Sequence, residues 1–452
     1  MLLRSRCRWL ALVPVVSATV ASVSFISSAP TRAAEPPPIV APPPAPIPPE
    51  LAGPDVTLEA LLAHAKTKAP VLALDDANPS RIRAARAAAG RVLPDNPELW
   101  VGVGPRLVGG DTGVDFEVGV SQRFEIGGER GVRLKVADAV EKGILAEMRD
   151  RHWDLHTTIH GLFYQALVAR ERVALAMRVV AFQDDIARIV GKQRAAGQVS
   201  QLNERVAIAE SAIARQELTA LVQAELAVRH ELALVVGWAP ETPPRPIGSL
   251  GFTTTLPPLP ELIALAAEKR PDLAVLDAAI AEAKARIRAA DRDKTPEPTL
   301  GVSWTRESAP TGGEPSHVVI ATIGMPLPFA SNNEPERAAA RAELEFAMAE
   351  RRRAEGQVAA EVTRAYRAAA AATRRLEAFG SDVLPQFEAN LTALRRAYEL
   401  GEIDIVGLAG GRERFLEAQR DALAAQEDYF TALAELEHAV GVDVLDAHQE
   451  TK

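Results

Sequence analysis

The chain has 452 residues, of which 47% are hydrophobic, 25% charged and only 5% aromatic, with a formal net charge of -9. That length suits two or three ordinary domains or one elongated body, and few aromatics beside abundant Ala and Arg favour long helices over a large β-sandwich core. The acidic balance excludes a nucleic-acid binder, because neutralising phosphates needs a basic footprint.

Residues 1–33 read as a secretory signal. Arg4, Arg6 and Arg8 precede an apolar run from Trp9 to Ile26, and the small residues of SSAPTRAA follow, placing cleavage near Ala33 or Ala34. The run also approaches the length of a membrane anchor, and that alternative stays open here. The single cysteine, Cys7, lies ahead of the apolar run, so the mature chain has no thiol for disulfides, metal ligation or catalysis. Residues 34–55, with EPPPIVAPPPAPIPPE (Glu35 to Glu50), form a stiff polyproline-like linker.

The remainder is duplicated. Pro70 to Val101 aligns without a gap on Pro271 to Val302, and Gly197 to Gly237 aligns on Gly401 to Gly441 at nearly the same offset. The chain therefore divides into a first structural repeat (56–238), a Pro-rich linker (239–259), a second repeat (260–442) and a tail (443–452).

Each repeat opens with an Ala-rich helical segment, about Ser80 to Val92 and Pro260 to Arg292. Two runs of period-2 alternation follow. ELWVGVG sets Leu99, Val101 and Val103 against Trp100, Gly102 and Gly104, and DFEVGVSQ sets Phe116, Val118 and Val120 against Glu117, Gly119 and Ser121. TLGVSWT and HVVIATIGMPLPF are the counterparts, the latter alternating less cleanly. With Gly109–Gly110 or Gly312–Gly313 between the members of each pair, two β-hairpins are predicted, at about 97–125 and 298–329. Long helical stretches come next, about Gly131 to Ala196 and Glu334 to Leu400, with Pro385 the one interior proline. Each spans roughly 100 Å at 1.5 Å per residue. Return helices at about Gln201 to Val236 and Val406 to Val440 make antiparallel coiled-coil hairpins of both.

Four strands with one apolar and one small or polar face carry the signature of transmembrane β-strands. Four cannot close a barrel, and an open sheet edge is not tolerated in lipid. Two chains would give 8 strands and a filled lumen, whereas three give 12 and room for a channel, so a homotrimer in lipid is expected. The fold class expected is mainly α with a small β part: a duplicated helix/β-hairpin/long-helix unit, building a trimeric 12-stranded barrel continued by an α-helical coiled-coil tunnel.

The stretch SQRFEIGGERGVR (Ser121 to Arg133) admits a phosphate-loop or a hinge reading. A nucleotide-binding glycine loop needs a parallel βαβ unit, but this one follows an antiparallel hairpin and opens a far longer helix. The second repeat makes the same passage as MPLPFASNNEPER (Met325 to Arg337), with prolines and asparagines in place of glycines. Gly127, Gly128 and Gly131 are therefore expected to turn the chain from barrel wall to tunnel wall, with Phe124 near the membrane edge. There is no G-x-S-x-G or P-loop pattern, and the carboxylates are spread as helix-surface charges, so neither an enzyme nor a cofactor is expected.

With its duplicated unit, the glycines Gly197 and Gly401 near the helical turns and NPEL (Asn96 to Leu99) opening the first strand, the chain resembles the TolC-type outer-membrane efflux factors over about Val56 to Val442. SQRFEIGGERGVR is similar to the strand-to-helix passage of the cobalt-zinc-cadmium efflux branch. The resemblance implies a passive trimeric duct in the cell outer membrane, extending into the periplasm and served by a periplasmic adaptor (membrane fusion protein) and an inner-membrane RND-type pump. It implies adaptor-contacting tips at Ala196, Gly197 and Gln198 and at Leu400, Gly401 and Glu402, where the third residues depart from the family's Leu or Thr. It puts Tyr398 at the periplasmic entrance, with Asp404 as an acidic ring or, more simply, a solvated tip charge. The family's aspartate gate does not carry over, since Gly407 and Gly410 occupy those places. A type I protein-secretion duct and a soluble periplasmic coiled-coil scaffold are the alternatives.

His152, His156 and His160 share one face of the first long helix at a spacing that suits a divalent metal. HWDLH is not the HExxH pattern, however, and the second repeat has no histidine there. A polar stripe on a tunnel helix is the plainer reading, and no metal site is expected.

Overall fold

The computed structural model describes residues 48–108, 110–251, 255–309, 313–329, 332–379 and 386–444. The expected signal, the linker up to residue 47, Gly109, Gly312, Pro385 and the tail beyond residue 444 lie outside the described residues.

A short strap begins the described chain, with a 3-10 turn at Pro49–Leu51 followed by β1 (Asp55–Val56). Helix α1 (Leu58–Lys68) starts at Thr57, whose hydroxyl accepts the Ala60 N–H at 3.3 Å, and α2 (Leu72–Ala89) follows. The helical segment expected from Ser80 thus begins eight residues earlier and runs through Pro79, and α1 precedes it as a separate helix. Strands β2 (Glu98–Val108) and β3 (Asp111–Arg123) form an antiparallel hairpin, with Leu99 opposite Val120 and Val103 opposite Phe116. Helix α3 (Glu129–Ala195) runs unbroken for 67 residues, and α4 (Gln201–Val236) returns along its far half.

The second repeat restates this order with breaks. After β4 (Arg245–Pro246), the segment expected as one helix is two, α5 (Leu259–Lys269) and α6 (Pro271–Arg292). They part at Arg270 (φ -57°, ψ 124°), because Pro271 disfavours the helical conformation in the residue before it. Strands β5 (Thr299–Glu307) and β6 (Ser316–Gly324) form the second hairpin. The long stretch then appears as α7 (Glu334–Phe379) and α8 (Phe387–Glu399), with the Pro385 segment between them outside the described residues. Helix α9 (Ile405–Val440) returns to the end.

The hairpins of the two repeats join through an antiparallel β3–β5 pairing, giving one sheet in the order β2-β3-β5-β6. The cores lie in the helices. Around Leu436, Tyr429 and Val362, α5, α6, α7 and α9 pack together; around Ile186, Leu408 and Phe387, the far half of α3 packs with α4, α8 and α9. Each repeat's helices thus bury apolar stripes against the other's, which is why the two form one body.

Arg229 of α4 is fully buried and holds the strap down. Its guanidinium donates to four carbonyls: Leu51 at 2.9 Å, Ala52 at 3.3 Å, Pro243 at 2.7 Å and Pro244 at 3.0 Å. Glu225, one turn earlier, lies 3.7 Å away, and burial pushes its carboxyl up despite that neighbour. The same knot aligns β1 beside β4 in parallel. Replacing Arg229 with Met removes every one of these donors, at a cost of about 3 kcal/mol. Limited proteolysis is then expected to cut residues 49–56 ahead of the helices, and a wild-type cleavage pattern would refute the assigned role.

Candidate functional site

The sheet has two unlike faces. In register, Leu99, Val120, Val302 and Ala321 make one row across all four strands, and Val101, Val118, Trp304 and Val319 make the next. These side chains project outward with little cover: Val101 is 68% exposed and Val319 69%. The opposite face carries Gly102, Glu117 and Thr305 in one row and Gly119 and Ser303 in another, with β6 closing these rows by the apolar Val318 and Ile320. Trp100 lies flat on that face, and a Cβ on Gly119 would sit 2.4 Å from its ring. Toward the hairpin turns the same face holds an ion cluster, in which Arg106 bridges Asp115 at 2.9 Å and Glu307 at 2.8 Å. The Ser308 N–H also donates to Asp115, at 2.8 Å. An apolar exterior backed by small and charged groups belongs to a strand with lipid on one side and water on the other. Among the described residues no helix is long and apolar enough to cross a membrane.

At the base of the sheet the chain turns into α3. The Phe124 N–H donates to the Pro298 carbonyl at 2.9 Å, extending the ladder by one residue, and Phe124 itself is half-buried. Gly128 sits at the helix start with φ +80°, a left-handed conformation that costs a side-chain-bearing residue about 1–2 kcal/mol. In the second repeat Asn333 occupies the matching place just before α7 with φ +60°, the one described non-glycine residue in that region, and Asn tolerates it best after Gly. Gly127 is constrained by space instead, since a Cβ there would stand 2.1 Å from Glu129 Oε1 and 3.0 Å from Thr295. Gly131 has open room and an ordinary helical place. The basic residues of the motif close the end of α2: Arg130 donates to the Gly90 carbonyl at 3.0 Å and Arg133 to that of Arg91 at 3.1 Å. Glu297 lies 3.2 Å from Arg123, and burial pushes its carboxyl up against that pairing.

At the opposite end of the helices the two tips are built alike. After Ala196, Gly197 turns left-handed at φ +72° and the Gln198 N–H returns to the Gln193 carbonyl at 2.9 Å. After Leu400, Gly401 does the same at φ +74°, with Glu402 N–H to the Ala397 carbonyl at 2.9 Å. The return helices then start on matching caps: Ser200 accepts the Asn203 N–H at 3.2 Å, and Asp404 accepts the Gly407 N–H at 2.7 Å. Asp404, exposed, is thus a helix cap as well as a tip charge. Sequence reasoning passed over this, although the offset that pairs Gly197 with Gly401 also pairs Ser200 with Asp404. Tyr398 is buried, and its hydroxyl, pushed up by that burial, donates to Gln193 of α3 at 3.0 Å. Further along, Arg412 of α9 pairs with Glu210 of α4 at 2.7 Å, and Arg420 pairs with Glu217. These links tie the tip of one repeat to that of the other, and nothing in the local sequence announces them.

Of the three histidines, His156 and His160 stay together, with ring centroids 4.4 Å apart, and His152 parts from them. His152 turns toward α2, its Nε2 at 2.6 Å from Asp75, whose carboxyl burial raises but Arg151 and His152 hold below the usual range. His156 meets Asp443 at 2.9 Å and His160 meets Glu437 at 3.2 Å.

Comparisons with known proteins place this geometry. Residues 262–442 match the profile of the family described as outer membrane efflux protein. The chain is 26% identical over 297 residues to the cobalt-zinc-cadmium resistance protein CzcC of Cupriavidus metallidurans, covering 64% of this chain. The alignment spans 66% of that relative, just under two thirds of its length. Among solved structures, the CmeC outer membrane channel of Campylobacter jejuni superposes with a TM-score of 0.67 at 12% identity, covering 87% of this chain and 89% of that one. A membrane protein from Pseudomonas aeruginosa superposes with a TM-score of 0.65 at 20% identity, covering 87% and 92%. The mainly helical, twice-repeated fold with paired hairpins is the fold of these two solved structures.

The joint separates its glycines by experiment. Gly128→Val is expected to cut the yield of folded, heat-resistant oligomer and lower its melting temperature, while Gly131→Ala and Asn333→Gly leave both near wild type. Equal loss in Gly128→Val and Gly131→Ala would remove the left-handed turn as the cause.

Proposed function

We propose that this chain, which belongs to the TolC-type outer membrane efflux family, works as the passive exit duct of a tripartite efflux system, as a homotrimer. The observation that carries the reading is the four-stranded sheet with an apolar outer face and, among the described residues, an unpaired edge on each side, set at one end of a helix about 100 Å long. Three copies would supply 12 strands, enough to close a barrel around an open lumen. Exposed apolar side chains on α4, among them Leu202, Val206 and Ile213 at helical spacing, support burial against neighbouring copies.

In this reading the sheet lies in the outer membrane and the helices reach through the periplasm. The tips at Ala196 to Gln198 and Leu400 to Glu402 contact a periplasmic adaptor, and an inner-membrane pump of the RND type supplies energy. The cargo proposed is heavy-metal cations, in line with the cobalt-zinc-cadmium relative. The entrance is held shut in part by Tyr398 on Gln193 and Arg412 on Glu210, and adaptor docking loosens the inner helices α8 and α9 like an iris.

Membrane extraction and sensitivity assays test the whole reading. The protein is expected in the detergent-soluble outer-membrane fraction as a heat-resistant trimer, and its deletion is expected to sensitise cells to cobalt, zinc or cadmium. Recovery from the soluble periplasm would establish a coiled-coil scaffold instead, and loss of an exported polypeptide without metal sensitivity would establish a type I secretion duct. For the entrance, the double variant Tyr398→Phe/Arg412→Ala is expected to raise single-channel conductance in planar bilayers several-fold. Unchanged conductance would remove these links from the constriction.

A further inference from the structure

We infer that His156, His160 and Asp443 form a divalent transition-metal site of the zinc or cobalt type, clipping the end of α9 to the middle of α3. One donor atom from each lies within 4.8 Å of the other two. The arrangement differs from the stripe visible in the sequence, because His152 is drawn away to Asp75 and a carboxylate from the far end of the chain takes its place.

Each member is positioned by something else. His156 and His160 stand one helical turn apart on α3, with ring centroids 4.4 Å from each other. Trp153 stacks on His156 at 5.1 Å and fixes its plane. Glu437, 4% exposed, holds His160 through Nδ1 at 3.2 Å, which leaves Nε2 as that ring's ligating atom. A carboxylate behind a metal-binding imidazole is the usual outer partner of such sites, since it sets the tautomer and raises the basicity of the ring. Asp443 arrives through Gly441, which ends α9 at φ +86° and folds the chain back; a Cβ there would stand 2.8 Å from Arg270 Cα. The Asp443 carboxylate then faces His156 Nε2 at 2.9 Å.

Two imidazoles and one carboxylate are a borderline-hard donor set suited to Zn²⁺, Co²⁺ or Ni²⁺ rather than to Ca²⁺ or Mg²⁺. A tetrahedral shell with bonds of about 2.0–2.1 Å separates its donor atoms by about 3.3 Å. The 2.9 Å contact between His156 and Asp443 must open slightly and the other separations close, by side-chain rotations of about an ångström. Water completes the fourth position. The duplication does not repeat the site, because the second repeat's long helix lacks the histidines and Ala239 stands where the matching offset would put Asp443. The site is independent of what the duct transports, since it is read from the ligands alone.

Cobalt binding tests it without any transport readout. The trimer, purified without a polyhistidine tag and stripped with chelator, is titrated with Co²⁺ and followed by the visible bands of tetrahedral cobalt. One Co²⁺ per chain, displaced by Zn²⁺, is expected. His160→Ala and Asp443→Asn are each expected to weaken binding at least ten-fold, with His152→Ala unchanged and all variants still heat-resistant trimers. Absence of binding in the wild type, persistence in Asp443→Asn, or equal weakening in His152→Ala would each overturn the assignment. Should His160→Ala fail to assemble, Asp443→Asn, which keeps side-chain size, decides alone.

Discussion

Strands β2 and β6 each present a row of backbone N–H and C=O groups that no other described strand of the chain satisfies. On a soluble protein, water would accept them. Beside an apolar face this exposed, water is the wrong neighbour for the side chains and lipid the wrong neighbour for the backbone, where each unsatisfied group costs several kcal/mol. Both demands would be met if the edges found other edges, which is what the proposed trimer supplies. The breadth of the sheet, the small residues on its inner face and the helices hung from its base all follow from that incompleteness.

The two repeats keep backbone punctuation more faithfully than side chains. A left-handed residue starts each long helical stretch, Gly128 in one repeat and Asn333 in the other, and left-handed glycines end it at Gly197 and Gly401. Gly237 and Gly441 close the return helices in the same way. The opening helix is also split alike in both, at Ala69–Pro70 and at Arg270–Pro271. Chain direction is what a duplicated unit must reproduce. Surface chemistry is free to differ, which is how one repeat holds a histidine face and the other Glu361 paired to Arg270.

Much of this was legible in the sequence because it is local. Alternation in ELWVGVG and DFEVGVSQ, the glycine breaks, and the proline-free run after Gly131 are properties of neighbouring residues, and α4 falls on Gln201–Val236 as read. The joint was legible as a joint, but the sequence did not separate Gly128, which needs its conformation, from Gly131, which needs nothing. What stayed hidden depends on residues far apart in the chain. The β3–β5 pairing joins the two repeats, Asp443 reaches His156 across more than half the sequence, and Arg412 finds Glu210 only once four helices have packed. The start of α2, expected at about Ser80, lies at Leu72, and the helix absorbs Pro79.

Arg229 has a mechanical meaning beyond its contribution to stability. Its four acceptors come from two separate segments, Leu51 and Ala52 on the strap and Pro243 and Pro244 on the connector between repeats. A pull on the amino-terminal end therefore loads several charge-assisted hydrogen bonds at once, in parallel, instead of peeling them one at a time. The force divides between α4 and the connector before reaching either long helix. Load on the strap is thus relieved at its root, as on a cable where it enters a housing, and the helices behind it are left undistorted.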